Sequence, residues 1–293
     1  MIKIHFIVNP IAGSGRNTIS KKILQDYFEV EMFDICIKFS NYKGHSVDLT
    51  KESVHQKVDI IVACGGDGTI NEVASVLVGT SILFGIVPKG SGNGLASHLG
   101  IPKNINKALN KIRNGEISKI DAGCVNKRYF FSNTGFGFDA NVIQNYEALN
   151  RRTLYCYLKA TVQSFLKYNK RKEVIINIDG NYELMNPFLI FISNSNQLGY
   201  NFSLTPSASL QDGLLDIVIV PKISRLKILL FGFYLLIKKP RLFKEAKYYR
   251  SSSIFLAMKK GEFFSSQIDG EFSIIENNIL LIDIKKNALN VIM

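Results

Sequence analysis

The sequence predicts two unlike domains: an α/β N-terminal domain with a doubly wound, mostly parallel sheet, and a mainly antiparallel β-sandwich C-terminal domain. The length of 293 residues suits two domains at roughly 150 residues each. Short apolar runs alternate with helix-like stretches up to about residue 122, and strand-like runs dominate after it. We therefore predict domains at 1–122 and 123–284, with residues of about 285–293 as a candidate return to the first domain.

Four apolar runs in the first half predict buried strands, and the stretches between them predict helices. The predicted strands cover residues 2–8, 32–39, 58–64 and 82–87. The predicted helices cover residues of about 17–28, 44–56, 69–78 and 104–114. Strands that alternate with helices form βαβ units, whose crossover connections produce a parallel sheet covered by helices.

The second half consists mostly of strand-like runs separated by turn residues. These runs cover residues 128–133, 174–179, 187–193, 213–220, 252–258, 267–275 and 279–284. Helices are predicted near 137–168 and 223–247. Several short strands in succession are typical of an antiparallel sandwich.

The charge of the chain is strongly positive and unevenly distributed. There are 36 basic and 24 acidic side chains, giving a formal net charge of +12 at pH 7, and the 46% hydrophobic content excludes a disordered chain. Segment 151–172 has seven basic residues and no acidic one, and segment 221–250 has nine against the single Glu245. Such an excess indicates an anionic partner: nucleic acid, a membrane surface or a phosphorylated substrate.

The remaining composition favours a cytoplasmic protein. Its four cysteines lie far apart without a CxxC pair, which argues against a disulfide scaffold or a zinc site. The first residues read as a buried strand and not as a signal peptide. The longest apolar run, 228–237, has ten residues, short of the roughly 20 needed to span a bilayer. We expect a soluble or peripheral protein.

Three glycine-rich turns follow predicted strands of the first domain. Gly65-Gly66-Asp67-Gly68-Thr69 joins a strand to a helix, where absent Cβ atoms and a helix N-terminus suit a phosphate. A carboxylate in this loop repels phosphate unless it holds a metal ion or orients hydrogen-bond donors. The alternative is an ordinary glycine-rich turn with a capping Asp. Further glycine-rich turns are Gly13-Ser14-Gly15-Arg16 after Asn9, and Gly90-Ser91-Gly92-Asn93-Gly94 after Pro88. Together they predict a phosphate cradle, although none is a Walker loop or a complete dinucleotide fingerprint.

These motifs, with Gly44-His45, Asp212-Gly213-Leu214 and Asp269-Gly270-Glu271 following in order, extend over nearly the whole chain. At these residues the sequence resembles the diacylglycerol kinase catalytic-domain family, which includes bacterial lipid kinases and sphingosine kinases. The resemblance implies that the first domain is NAD-kinase-like and binds ATP. The glycine–aspartate–threonine motif alone is shared with NAD kinases, so the full series carries the resemblance.

The resemblance also implies roles for individual residues. Asp67 is implied to help place Mg²⁺ and the phosphates, Asp269 to be the catalytic base, and Asp139 to face the substrate in the active-site cleft. Ser209, Asp212 and Leu214 resemble a structural divalent-ion site. The residues implied to contact ATP are Asn9, Ser40, Gly65, Gly66, Asp67, Gly68, Thr69, Ile70, Asn71, Ser91 and Glu271.

Each of these roles has a plainer alternative. Asp269-Gly270 between two strand-like runs is also the strongest short hairpin signal, and Asp212-Gly213 is likewise a turn signal. In 151–172 aromatic residues alternate with cations, and in 221–250 a continuous apolar stretch lies between lysines; both patterns suit an anionic membrane surface. Alternatively, these apolar residues pack on the sandwich and the cations form a solvated rim.

The sequence therefore predicts an ATP- and Mg²⁺-dependent lipid kinase, cytoplasmic and peripheral at the membrane. The acceptor is diacylglycerol, a sphingoid base or another long-chain alcohol, because Gly94 after Asn93 departs from many bacterial diacylglycerol kinases. One alternative is a kinase of a soluble acceptor such as NAD. A non-enzymatic nucleotide or nucleic-acid binder leaves Asp67, Asp139 and Asp269 unexplained, so no nucleic acid is expected.

Overall fold

The computed structural model describes residues 1–13, 19–149, 153–167, 172–197 and 202–293. The chain divides into two compact units. Unit 1 comprises Met1–Ala122 and Lys286–Met293, and unit 2 comprises Gly123–Lys285. The predicted fold class is confirmed, since unit 1 is an α/β domain with a parallel sheet and unit 2 is an antiparallel sandwich.

Some predicted features lie outside the described residues. They are Ser14, Gly15 and Arg16 of the first glycine-rich turn, the start of the helix at 17–28, and residues 150–152 and 168–171 of the first basic segment and its helix. Within the part of the chain that the structure describes, no helix is long and apolar enough to cross a membrane.

Unit 1 is built on a parallel sheet whose strands lie in the order Phe33–Phe39 (β2), Ile2–Val8 (β1), Ile60–Gly65 (β3) and Leu83–Pro88 (β4). Strands β1, β3 and β4 are mostly buried because helices cover them, whereas the edge strand β2 is largely half-buried. The elements in chain order are β1 (Ile2–Val8), α1 (Lys21–Gln25), β2 (Phe33–Phe39), α2 (His45–His55), β3 (Ile60–Gly65), α3 (Asp67–Leu77), β4 (Leu83–Pro88), α4 (Gly94–His98) and α5 (Ile105–Asn114).

Two details of unit 1 differ from the sequence prediction, and both concern the glycine-rich turns. Helix α3 begins at Asp67, not at Thr69, so the aspartate stands in the first helical turn. The short α4 was not predicted; it begins directly after Asn93, whose φ of +56° is left-handed. A five-residue helix has too few positions to show the helical period, which explains why it was missed.

Unit 2 contains two antiparallel sheets that enclose one apolar core. The elements are β5 (Ile117–Val125), which begins in unit 1, β6 (Arg128–Phe130), β7 (Asn133–Gly137), α6 (Phe138–Glu147), α7 (Leu154–Lys167), β8 (Val174–Ile178), β9 (Asn181–Met185), β10 (Pro187–Ser193), β11 (Leu215–Pro221), α8 (Arg225–Leu236), β12 (Lys247–Ser251), β13 (Ser253–Ala257), β14 (Phe264–Ile268), β15 (Glu271–Ile275) and β16 (Ile279–Ile292), which ends in unit 1. The first sheet has the order β12-β11-β10-β7-β14-β15, and the second contains β9-β8-β13 and the first part of β16.

The core of unit 2 lies between the inward faces of the two sheets. Ile190 and Ile217 of the first sheet belong to the same buried cluster as Ile176 and Leu256 of the second. The opposite face of the first sheet carries a second cluster, in which Phe188 and Val218 pack with Phe231 of α8. Helix α8 is therefore anchored to the sheet along one of its sides.

Several predicted strands and helices of unit 2 are divided in the structure. The single strand predicted at 267–275 is the hairpin β14–β15, because Asp269 and Gly270 have φ of +47° and +81° and reverse the chain. The strand at 128–133 is two strands, and the helix at 137–168 is α6 followed by α7. The helix at 223–247 ends at Leu236, because Lys238 has a left-handed φ of +58° and Pro240 follows it.

Candidate functional site

The three glycine-rich turns of unit 1 lie against one another at the carboxyl edge of its parallel sheet. A Cβ atom on Gly90 would lie 2.7 Å from the Cα atom of Gly66, and one on Gly13 would lie 2.7 Å from the carbonyl oxygen of Lys89. The absence of these Cβ atoms lets the three turns approach closely. Asn9 adds a side-chain bond, since its Nδ2 donates to Thr69 Oγ1 at 3.2 Å.

Asp67 fixes the turn after β4 in place. Its Oδ2 accepts from the N–H of Asn93 at 2.8 Å, and its Oδ1 accepts from the N–H of Gly94 at 2.7 Å. A carboxylate at these donors satisfies N–H groups at the start of α4. Asn93 closes the same turn, because its side chain accepts from the N–H of Gly90 at 3.0 Å and donates to its carbonyl oxygen. Asp67 thus positions backbone groups.

The N-terminus of α3 has the features of an anion site. The N-cap of this helix is Gly66, which has no side chain to bond the first N–H groups. The first N–H groups of a helix and its dipole attract negative charge. The neighbouring turns place glycines beside this N-terminus, so backbone N–H groups stand where phosphate oxygens can approach.

The other residues predicted to bind the nucleotide lie at or near the same edge of unit 1. Ser40 directly follows β2 and is buried, and its N–H donates to the carbonyl oxygen of Val8 at 2.9 Å. Ile70 is buried inside α3, and Asn71 accepts from Ser75 Oγ at 3.3 Å. Ser91 is exposed on the turn after β4. Asn9, Ser40, Gly65 and Ser91 therefore follow four different parallel strands.

Asp269 of unit 2 is the second candidate centre, and its carboxylate is held by backbone donors. Oδ1 accepts from the N–H groups of Ser132 and Asn133 at 2.8 and 3.0 Å, and Oδ2 accepts from that of Phe131 at 2.9 Å. Its own N–H donates to the carbonyl oxygen of Asn133 at 2.9 Å. Asp269 is therefore both a residue of the hairpin turn and a carboxylate held in one orientation. Glu271, on the far side of the turn, pairs with Ile268 at the start of β15.

Asp139 lies in the first turn of α6 and belongs to a buried hydrogen-bond network. Its Oδ2 accepts from Gln267 Nε2 at 2.8 Å, and the same nitrogen donates to Asn133 Oδ1 at 2.7 Å. Burial raises the pKa of Asp139 to about 6, against the opposing effect of the Gln267 hydrogen bond. The Asp139 side chain has room because residue 135 is glycine; a Cβ atom on Gly135 would lie only 2.0 Å from Asp139 Oδ2.

Gln267 and Asn133 connect the two candidate aspartates, Asp139 and Asp269. The sequence analysis did not single out either of these amides. Gln267 Oε1 accepts from the N–H of Gly270 at 2.9 Å, next to Asp269, while its amide nitrogen bonds Asp139. The N–H of Asn133 donates to the Asp269 carboxylate, and its carbonyl oxygen accepts from the N–H of Asp269. The Asn133 side chain donates its Nδ2–H to the carbonyl oxygen of Gln197 at 2.9 Å. An uncharged amide two positions before an Asp-Gly turn on a buried strand was the available signal.

The predicted divalent-ion site of unit 2 does not fit a cation as the residues are arranged. Asp212 Oδ1 accepts from the N–H of Leu214 at 3.0 Å, and its Oδ2 pairs with the guanidinium of Arg250. Ser209 Oγ accepts from the N–H of Gln211 at 3.3 Å. A guanidinium already neutralises the one carboxylate of the set. The Asp212-Gly213 segment is therefore a turn tied to Arg250.

Comparison with known proteins identifies the family. Residues 3–125 match the diacylglycerol kinase catalytic domain, and residues 132–238 match the YegS C-terminal NAD kinase β-sandwich-like domain. A diacylglycerol kinase of Bacillus subtilis strain 168 is 32% identical over 231 residues, covering 76% of this chain and 75% of the relative. The chain belongs to the diacylglycerol kinase family. The family resemblance predicted from the sequence is thereby confirmed.

Two further relatives of this diacylglycerol kinase family member extend the comparison. A diacylglycerol kinase of Staphylococcus aureus strain JH9 is 29% identical over 242 residues, covering 75% of this chain and 71% of the relative. A solved structure from Bacillus anthracis strain Sterne, described as a candidate diacylglycerol kinase, superposes with a TM-score of 0.82 at 25% identity. That comparison covers 99% of this chain and 94% of the other, so both units share the fold of this family.

Proposed function

We propose that this family member is an ATP- and Mg²⁺-dependent kinase that phosphorylates the hydroxyl group of a membrane lipid. The observation that carries the proposal is the mutual contact of the three glycine-rich turns at the carboxyl edge of the unit 1 sheet. Ligands of open α/β sheets bind at this edge. The membership of the chain in the diacylglycerol kinase family supports phosphoryl transfer to a lipid as the reaction.

In this proposal, unit 1 binds ATP mainly through backbone groups. The N–H groups at the start of α3 and the turns around Gly13, Gly66 and Gly90 bind the phosphates. Asp67 keeps the turn after β4 in the geometry that this binding requires, through its bonds to Asn93 and Gly94. Mg²⁺, when bound with ATP, neutralises charge on the phosphate oxygens.

Asp269 is the proposed base of the reaction. As the lipid oxygen forms its bond to the γ-phosphorus and ADP leaves with the electrons of the broken P–O bond, the hydroxyl proton passes to the Asp269 carboxylate. Its three backbone hydrogen bonds orient this carboxylate, so it needs no reorganisation during turnover. Asp139 and Gln267 support the Asp269-Gly270 turn from the buried side.

The acceptor that we propose to test first is diacylglycerol, because the relatives from B. subtilis and S. aureus carry that name. A sphingoid base, a monoacylglycerol and NAD complete the acceptor panel. We further propose a cytoplasmic, peripheral enzyme that meets its substrate at an anionic membrane through 151–172 and 221–250. Radiolabelled phosphate transferred from ATP to a lipid alcohol is the expected result, and transfer to NAD alone would contradict the lipid assignment.

The role of Asp269 can be tested against a matched aspartate in the same unit. Asp179 and Gly180 form a second Asp-Gly turn, between β8 and β9, with φ of +51° and +85°. Asp269→Asn is expected to lower kcat by about 10²-fold or more, and Asp179→Asn is expected to leave it unchanged. Equal kcat values for the wild type and Asp269→Asn would refute the base.

The same experiment needs a stability measurement. An asparagine at 269 turns one carboxylate oxygen into an NH₂ group, which faces a backbone N–H and leaves a donor without its acceptor. This loss costs about 1–3 kcal/mol of the free energy of unfolding. The kcat of Asp269→Asn is therefore compared at a temperature where denaturation curves show that variant fully folded.

A further inference from the structure

Helix α8 is apolar on both of its sides, although only one side is packed. Ile228 and Phe231 are buried in the cluster on the outer face of the first sheet of unit 2. The opposite side has an unbroken series of large apolar residues at helical spacing, between 54% and 79% exposed: Leu226, Leu229, Phe233 and Leu236. A surface helix normally turns polar residues outward, so this composition needs a partner.

Basic side chains flank this exposed apolar face at both ends. Lys222 and Arg225 stand at its N-terminal end, and Lys238 and Lys239 stand at its C-terminal end; all four are exposed. The acidic residue of the region, Glu245, is paired with Lys227 at 2.6 Å. The face is therefore a strip of leucine and phenylalanine between two groups of cations.

The end of α8 places its lysines in an unusual way. Lys238 has a φ of +58°, and the N–H groups of Lys238 and Lys239 donate to the carbonyl oxygens of Leu235 and Tyr234. This is a Schellman motif, in which glycine usually occupies the left-handed position because a side chain there is disfavoured. The lysine in that position follows the exposed Leu236 by two residues and is itself exposed.

We infer that the outer face of α8 inserts into the surface of an anionic lipid bilayer. Apolar side chains bordered by lysine and arginine are the pattern of helices that lie in a membrane interface. A second copy of this chain fits less well, because a two-fold contact centred on α8 would bring cationic ends against cationic ends. The inference rests on the proposed function only in choosing a lipid surface as the partner.

Vesicle sedimentation tests this inference with the full chain. The wild type is expected to bind vesicles that contain phosphatidylglycerol and to bind phosphatidylcholine vesicles much less. Lys238→Gln/Lys239→Gln is expected to weaken binding about 30-fold, since each basic side chain near an anionic surface contributes roughly a factor of five. Leu229→Gln/Phe233→Gln is expected to weaken binding to a similar or larger extent.

Matched control variants keep the same chemistry at other exposed positions of unit 2. Lys259→Gln/Lys260→Gln removes two charges from the turn after β13, and Tyr182→Gln/Leu184→Gln removes two apolar side chains from β9, where both are exposed. Both controls are expected to bind vesicles as the wild type does. Binding that falls equally in α8 variants and controls would overturn the inference.

Two further outcomes separate this inference from its competitors. A dimer in sedimentation velocity that Leu229→Gln/Phe233→Gln dissociates would assign the face to a second copy and overturn the membrane assignment. Activity on a short-chain diacylglycerol dispersed in water is expected to survive in the α8 variants. A wild type that binds vesicles but phosphorylates no lipid alcohol would refute the proposed function and leave the docking face standing.

Discussion

Replacing Asp139 with asparagine is expected to stabilise the protein at about pH 8 and to give no such gain near pH 4. The reason is the burial of this carboxyl group, which raises its pKa from 3.8 to about 6 in the folded state. Between these values the folded protein retains a proton that the unfolded chain has released. The free energy of unfolding therefore falls as the pH rises from about 4 to about 6, and it stays at the lower level above pH 6, where the folded state holds a buried negative charge.

The size of the effect follows from the difference in pKa. One pKa unit corresponds to about 1.4 kcal/mol, so the buried charge costs about 3 kcal/mol once both states are ionised. An asparagine carries no charge and can still accept from Gln267 Nε2 through its amide oxygen. Allowing about 1 kcal/mol for the imperfect fit of its NH₂ group, the net gain at high pH is about 2 kcal/mol.

Denaturant unfolding of the wild type and Asp139→Asn at the two pH values measures this difference. The chain has 12 tyrosines and no tryptophan, so tyrosine fluorescence and circular dichroism are the suitable signals. Asp179→Asn, at an exposed turn, is the control for a simple change of net charge. A stability difference that is the same at both pH values, or a loss of stability at the higher one, would refute the argument.

Two other predictions concern unit 1. Gly92→Ala would place a Cβ atom 2.8 Å from Asp67 Oδ2, so it is expected to displace the turn after β4 and to weaken binding of a non-hydrolysable ATP analogue at least tenfold, measured by calorimetry. Cys64 is fully buried at the end of β3, and burial raises its thiol pKa, so it is expected to react with a thiol reagent only on unfolding, while the partly exposed Cys36 and Cys124 react first. Labelling of Cys64 in the folded protein at the same rate as Cys36 would contradict the burial of Cys64.

The parallel half of the fold was predictable because most of its strands are apolar runs. Each of β1 to β4 overlaps its predicted strand, and β3 and β4, buried along nearly their whole length, leave uninterrupted apolar runs. The hairpin β14–β15 was predicted as one strand because apolar and small residues continue through it. The hairpin signal of Asp269-Gly270, weighed as the alternative, is the one that the left-handed backbone of both residues bears out.

The site was predictable in its residue types but not in its bonds. The glycine-rich turns and Asp67 are visible because three such turns follow predicted strands of one sheet. The contacts of Asp67 with Asn93 and Gly94 join positions 26 and 27 residues apart, and no local pattern reports them. The sequence likewise did not show which side of α8 faces solvent, because that helix is apolar on both sides.

Two of the Asp-Gly turns of unit 2, those at Asp179 and Asp269, share a backbone conformation and differ in what surrounds the aspartate. Both turns have left-handed φ values at both residues, and in both the glycine N–H donates to a side-chain oxygen two residues before the aspartate, Gln267 Oε1 or Asn177 Oδ1. Asp179 accepts from Ser251 Oγ on β12, whereas Asp269 accepts three backbone N–H groups from the segment that leads into β7.

A hairpin does not need those three donors, since the Asp179 turn has the same backbone without that arrangement. The donors instead fix the direction of the Asp269 carboxylate, and Gln267 joins the same turn to the buried Asp139. Orientation of this kind is useful for accepting a proton from a bound hydroxyl group, because the geometry is in place before the reaction begins. The surroundings of the turn, and not the Asp-Gly pair itself, therefore support Asp269 as the base.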